Sequence, residues 1–250
     1  MKIYGYSERG MLNALLYEIG HRQNADELFG LLLAEAVFPL ANNAPLAGTT
    51  TLLIEQSFSQ FGDPDAVALI KSPKGNSTIF IEAKVKTYRP RNWHLSTELE
   101  KFKKGIAKKI SSSKFPSNFS SNLFTQIYYK QQMMSALNES GDISPLEKGV
   151  RLPGWPSQQV RKIGKNKIVL CAVKRILQYA QNDFYLMLIP DSSENAEQFF
   201  NETLRGNTCI PHSDTSRWGY LTWEKVHAFC KKHRLKNSLE AFDYNKGQIF

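Results

Sequence analysis

The chain has 250 residues, 42% of them hydrophobic, and a formal charge of +9, which allows a packed core and points to a polyanionic partner. Three cysteines, odd in number and with no close pair, indicate neither a disulfide framework nor a cysteine-rich zinc site, and a reducing cytoplasm is the expected compartment. No stretch approaches the ~18 consecutive apolar residues of a membrane span, and residues 1–10 lack the apolar core of a secretory signal, so no membrane partner is expected.

Ser7 can cap a first helix, on which Met11, Leu12, Leu15, Leu16 and Ile19 recur at helical spacing up to Gly20. A second helix is predicted over about 24–38, ended by Pro39. Residues 49–58 are rich in β-formers and read as the first strand, with Glu55 on it either as a sheet-surface carboxylate or turned toward a functional site. After Gly62-Asp63-Pro64, residues 65–70 are apolar on both faces, as in a buried central strand. Residues 72–76 supply a turn into a strand over 77–86 that alternates strictly. Ile79, Ile81, Ala83 and Val85 point to a core face, while Phe80, Glu82, Lys84 and Lys86 form a charged one.

The loop 87–94 interleaves basic and aromatic residues, among them Arg89, Arg91 and Trp93, a pattern that suits phosphate contact and base stacking as well as a plain surface loop. A helix over 98–110 carries Lys101, Lys103, Lys104, Lys108 and Lys109, either as a solvated face or as one turned to nucleic acid. Past a polar loop, the helix over 122–137 sets Gln126 and Lys130 one turn apart; with no functional role, this is a helix edge with a snorkelling lysine. Residues 139–164 read as a long irregular connection. Then come a helix over 167–180, a buried strand over 184–189, a fifth strand over 218–222 and a final helix over 223–233.

Antiparallel pairing of the two central strands brings Asp65 opposite the end of the second. At about 3.4 Å per residue, Glu82 and Lys84 stand roughly 7 Å apart on one side. Two carboxylates and an amine so placed suit metal-assisted phosphodiester hydrolysis. The carboxylates offer hard oxygens to Mg²⁺ or Mn²⁺, and the lysine orients or deprotonates the attacking water and helps hold the phosphate. Without that chemistry, the same residues describe an exposed strand whose polar face reads Glu-x-Lys, with Asp65 in a turn.

Pro64-Asp65, a spacer of ordinary length, and Glu82-Ala83-Lys84, the only Asp/Glu-x-Lys in the chain, together resemble the signature of the PD-(D/E)XK, or restriction-endonuclease-like, nuclease superfamily. The resemblance implies an α/β fold with an αβββαβ core, a central mixed sheet flanked by helices, in a single domain over 1–250. The core would span about 8–190, with 139–164 as an insertion or long loop and 191–250 as a C-terminal elaboration. It further implies a Mg²⁺- or Mn²⁺-dependent nuclease in which Asp65 and Glu82 bind metal, Lys84 positions water, and an acidic residue of the first helix completes the shell. Glu8 is the first candidate for that place, because Ser7-Glu8-Arg9-Gly10 is similar to the opening of archaeal Holliday-junction resolvases, and Glu18 is the second. Either can instead be a solvated helix charge. Gln126 and Lys130 resemble the Gln-x-x-x-Tyr motif of some members, with lysine in place of tyrosine, and would support substrate or water.

The implied substrate is nucleic acid, DNA in preference to RNA, met by Lys101, Lys103, Lys104, Lys108, Arg89, Arg91 and Lys130, in defence, restriction or repair. A homodimer, or a place as partner subunit in a larger nuclease system, accords with duplex cutting. The alternative is a non-cleaving nucleic-acid-binding subunit of the same fold, against which the intact Asp65, Glu82 and Lys84 set argues. Because neighbouring carboxylates repel each other, loss of either is expected to leave folding intact.

Overall fold

The computed structural model describes residues 5, 7–41, 47–86, 93–112, 119–152, 160–205, 210 and 213–249, with side chains described except at 107–112 and 119. Arg89, Arg91 and the side chain of Lys108 therefore lie outside the described residues.

Helix α1 (Ser7–Gly20) buries Met11, Leu12, Leu15, Leu16 and Ile19, the stripe its spacing predicts. Helix α2 (Ala25–Ala34) stops short of the expected 38. Pro39 disfavours helical backbone at Phe38, and Val37 instead exchanges two backbone hydrogen bonds of 2.9 Å with Tyr220. Beside this bridge, a Cβ added at Gly219 would come within 2.4 Å of the Phe38 ring, so glycine is what lets the two segments meet.

Strand β1 (Thr49–Ile54) is also shorter than expected, because Glu55 takes a left-handed backbone, φ 51°, that ends it. A helical turn over Ser59–Phe61 leads into β2 (Ala66–Ser72), and Pro73-Lys74 turn the chain into β3 (Gly75–Ala83) with Ser72 paired to Gly75. The long crossover then begins with α3 (Leu95–Ser112) and α4 (Leu123–Ser140). Asn122 joins them: its side chain accepts the Thr125 N–H at 3.1 Å, capping α4, and donates to the Glu98 C=O at 2.8 Å and to Glu98 Oε2 at 3.0 Å.

The stretch expected to be irregular holds α5 (Ser144–Lys148) and a small hairpin of β4 (Val150–Arg151) and β5 (Val160–Arg161). Leu146, Leu152 and Ile163 from it are buried, so this stretch is packed against the core rather than loose. Helix α6 (Lys167–Leu177) and strand β6 (Asn182–Ile189) follow. Next come α7 (Ser193–Gln198), a π-helical turn over Phe199–Leu204, and β7 (Trp218–Thr222). Helix α8 (Trp223–Lys232) is not the last: α9 (Lys236–Tyr244), which spacing alone did not indicate, buries Ala241 and Phe242.

These elements make a mixed α/β structure around a five-stranded sheet of order β1-β2-β3-β6-β7. The first three strands are antiparallel, whereas β3, β6 and β7 run parallel. Strand β3 is thus central, and both its faces are covered. Ile79, Ile81 and Ala83 pack under α1, α2, α8 and α9, with Val85 partly buried at the margin. The other face, expected to carry charge in the open, holds Phe80 with Val67, Leu69, Tyr185 and Met187 beneath α3, α4 and α6. Thr78 and Glu82 lie buried in it. Among the described residues no helix is long and apolar enough to cross a membrane.

Candidate active site

Asp65 stands immediately before β2, and Glu82 is the penultimate residue of β3. Extending the antiparallel register one step beyond the Ala66–Ile81 pair sets Asp65 directly opposite Glu82, so both side chains leave the sheet on the same face. Asp65 is fixed locally: its Oδ2 accepts the Ala83 N–H at 2.8 Å, and its C=O accepts the Glu55 N–H at 3.1 Å. The pair lies at the carboxyl end of β3, beside the carboxyl end of parallel β6, where open α/β sheets gather their ligands.

Glu82 is 1% exposed, and a carboxylate removed from water needs a counter-charge. Lys130 provides it. Its Nζ stands 2.9 Å from Glu82 Oε1, and the lysine, far from snorkelling, is entirely buried. The approach is an ion contact rather than an aligned hydrogen bond, and Glu82 Oε2 has no hydrogen-bond partner among the described residues. Burial pushes the Glu82 carboxyl above its ordinary pKa; Lys130 pulls against this, Asp65 adds to it, and Lys84 again pulls against it. Gly62, at φ 84°, shapes the recess, since a Cβ there would stand 3.0 Å from Lys130 Nζ.

Lys84 closes the outer side of the site. Its Nζ lies 3.9 Å from Glu8 Oε1 in the first turn of α1. Burial raises the Glu8 pKa, with Lys84 opposing, Asp65 adding to the shift, and Arg9 and the Val85 backbone N–H opposing it. Next to it, the half-exposed Arg9 reaches Asp65 Oδ1 at 3.5 Å through Nε and Glu55 Oε2 at 3.6 Å through a terminal nitrogen. Asn13 holds the other Glu55 oxygen at 2.9 Å. Glu55 therefore belongs to the rim of the site, through Arg9, rather than to the sheet surface alone.

The last quarter of the chain supports this position. Trp223 Nε1 donates to the Lys84 C=O at 2.7 Å, the Lys84 N–H donates to the Leu188 C=O at 2.8 Å, and the Lys86 N–H donates to the Gln248 C=O at 2.6 Å. Beyond the end of β3, the backbone carrying Lys84 is thus held from β6, α8 and the C-terminal segment.

Of the residues singled out from the sequence, the structure brings Asp65, Glu82, Lys84, Glu8 and Lys130 together. Gln126 lies one turn before Lys130 on the same side of α4, its Oε1 buried without a hydrogen-bond partner among the described residues. Glu18 is elsewhere. Its carboxylate accepts the Ser238 N–H and hydroxyl, each at 2.7 Å, and the Asn237 N–H at 3.3 Å, and it pairs with Arg22 at 3.5 Å. These contacts cap the start of α9, so a structural role replaces the expected catalytic one. Glu18→Ala should cost about 1–2 kcal/mol in urea denaturation, the scale of a lost cap, without changing any activity that depends on Asp65.

Lys101 pairs with Glu98 at 2.7 Å and Lys103 with Glu100 at 3.3 Å; Lys101 and Lys104 are exposed on α3 away from its buried Leu95, Leu99 and Phe102, and Lys103, half-buried, flanks them. Arg9, Gly62 and Trp223 are the residues that sequence reasoning missed. Arg9 alone had a signal, its adjacency to Glu8.

Among the described residues no three His, Cys, Asp or Glu side chains are grouped closely enough to form a metal cluster. Mg²⁺ commonly takes only one or two protein carboxylates and completes its shell with water and phosphate oxygens. The Asp65–Glu82 pair fits that requirement, with Glu82 Oε2 as an oxygen in want of a partner. No family profile matches the chain, and neither a curated protein nor a solved structure is significantly similar to it.

Proposed function

We propose that this chain is a Mg²⁺-dependent nuclease of the PD-(D/E)XK type, hydrolysing phosphodiester bonds of DNA in preference to RNA. One observation carries the reading: Asp65 and Glu82 face each other from adjacent antiparallel strands, one Glu82 oxygen is buried without a hydrogen-bond partner among the described residues, and Lys84 follows two residues on. The succession of helices, three antiparallel strands, further helices and the parallel β6 accords with an αβββαβ core, to which β7, α8 and α9 add a C-terminal elaboration.

A bound divalent ion would neutralise charge on the scissile phosphate and acidify a water. Lys84 Nζ, steered by Glu8, is placed to hold a phosphate oxygen and to orient or deprotonate that water. Arg9, half exposed at the rim, offers a second cation to the substrate backbone. The three backbone hydrogen bonds around residues 84–86 keep this geometry from drifting, which matters because misplacing a reacting group by about 1 Å can cost ~10²-fold in rate.

Incubation of the purified protein with plasmid, linear, branched and single-stranded substrates, with Mg²⁺ or with EDTA, tests the reading. Cleavage of at least one DNA substrate that EDTA abolishes is expected. Binding without cleavage of any substrate would favour the second reading, a non-cleaving nucleic-acid-binding subunit, for which the Lys130 ammonium already seated on Glu82 speaks. In either case the outer face of α3 should contact phosphates. Changing Lys103 and Lys104 to alanine is expected to reduce the slope of log K against log salt by up to about two units, and an unchanged slope would make that face a solvated one.

A further inference from the structure

We infer that Lys130 is the internal partner of Glu82 in the site, which holds Glu82 Oε1 and limits the carboxylate pair to a single divalent ion. The inference rests on the nuclease reading for its metal and extends it to the number of ions and to the group that competes with them.

Lys130 and Glu82 are 0% and 1% exposed at a separation of 2.9 Å, so neither charge can relax into water when the other is disturbed. The ammonium is confined on both sides. Its own helix is buried around it through Tyr128, Tyr129, Gln131 and Gln132, and the loop ahead of Asp65 comes so close that a Cβ at Gly62 would stand 3.0 Å from Nζ. Withdrawing Nζ therefore requires moving α4, which is capped by Asn122 at one end and by Gly141, in left-handed backbone, at the other.

The remaining oxygens can be counted. Glu82 Oε1 faces Lys130, and Asp65 Oδ2 accepts the Ala83 N–H. Among the described residues, Glu82 Oε2 has no hydrogen-bond partner and Asp65 Oδ1 is approached by Arg9 at 3.5 Å, so these two oxygens are left. One oxygen from each of two carboxylates suits one hard cation that completes its shell with water and phosphate; two ions sharing this pair would need the oxygen that Lys130 holds. At so short a range the ammonium also repels a divalent ion on the same carboxylate, so the single ion is held weakly.

Calorimetric titration of Mn²⁺ into the full chain tests this, comparing the unaltered protein with Lys130→Met. The expected result is one ion per unaltered chain, and binding tightened by about tenfold or more in Lys130→Met, because the competing charge is gone. Two ions per unaltered chain, or equal or weaker binding in a folded Lys130→Met, would overturn the inference while leaving the nuclease reading in place. Absence of Mn²⁺ binding in both proteins would overturn both.

Lys130→Met leaves Glu82 buried without its counter-charge, so a measurement on the unaltered protein stands beside it. The Lys130 ammonium, shielded from solvent exchange by burial, should give an NMR resonance that persists when Mg²⁺ saturates the site. Loss of that resonance on Mg²⁺ addition would show the lysine displaced and overturn the inference without any variant.

Discussion

Glu82→Ala is expected to destabilise the protein by about 3–5 kcal/mol, because it strands the Lys130 ammonium in a recess from which water is excluded. The repulsion between neighbouring carboxylates leads to a milder expectation, that either can be lost without harm to folding. The buried lysine reverses it for Glu82. A double variant, Glu82→Met with Lys130→Met, should recover most of the loss, since replacing a buried ion pair by apolar groups of similar volume is often neutral or stabilising. Urea denaturation of the two single variants and the double variant measures the coupling directly. A fully stable Glu82→Ala would mean that the pair is not sealed as described.

Lys84→Ala should act on rate rather than on stability. Lys84 lies at the edge of the site, its one ion pair among the described residues is the 3.9 Å approach to Glu8, and its backbone is anchored by groups that the substitution leaves alone. Loss of a group that positions and deprotonates water typically costs 10²–10⁴-fold. Cleavage should therefore fall by about that factor, while thermal unfolding and Mn²⁺ binding measured by calorimetry stay close to those of the unaltered protein. Loss of Mn²⁺ binding along with cleavage would instead give Lys84 a part in building the metal site.

How much of this arrangement was legible in the sequence depended on whether it was local. The turn at Pro73-Lys74 and the apolar runs on either side of it fix the β2–β3 register, and that register alone places Asp65 opposite Glu82. The stripes of α1 and α6 and the apolar run of β6 were readable for the same reason. What failed was set by distant partners. The alternation of Phe80, Glu82 and Lys84 suggested an open charged face, because nothing in that strand says that α4 will cover it.

Lys130 read either as a helix-edge lysine or as a contact to nucleic acid, and its full burial against Glu82 fits neither, because that partner lies on a strand far earlier in the chain. Glu8 and Glu18 belong to one helix, and only the docking of Asn237 and Ser238 at the start of α9 shows that Glu18 is engaged in a cap. Likewise α2 ends early because Val37 pairs with Tyr220, on a strand the chain reaches only after the whole crossover.

The nuclease reading stands or falls on Asp65→Asn, assayed beside the unaltered chain with DNA and Mg²⁺. The substitution keeps an oxygen to accept the Ala83 N–H, so folding should be preserved, while the negative charge offered to a metal is removed. Cleavage by the unaltered chain that EDTA stops is expected, with a loss of about 10²–10³-fold in the folded Asp65→Asn protein, the scale on which removal of a charge-stabilising catalytic group is felt. Undiminished cleavage by Asp65→Asn, prepared alongside an empty-vector control that shows none, would contradict it.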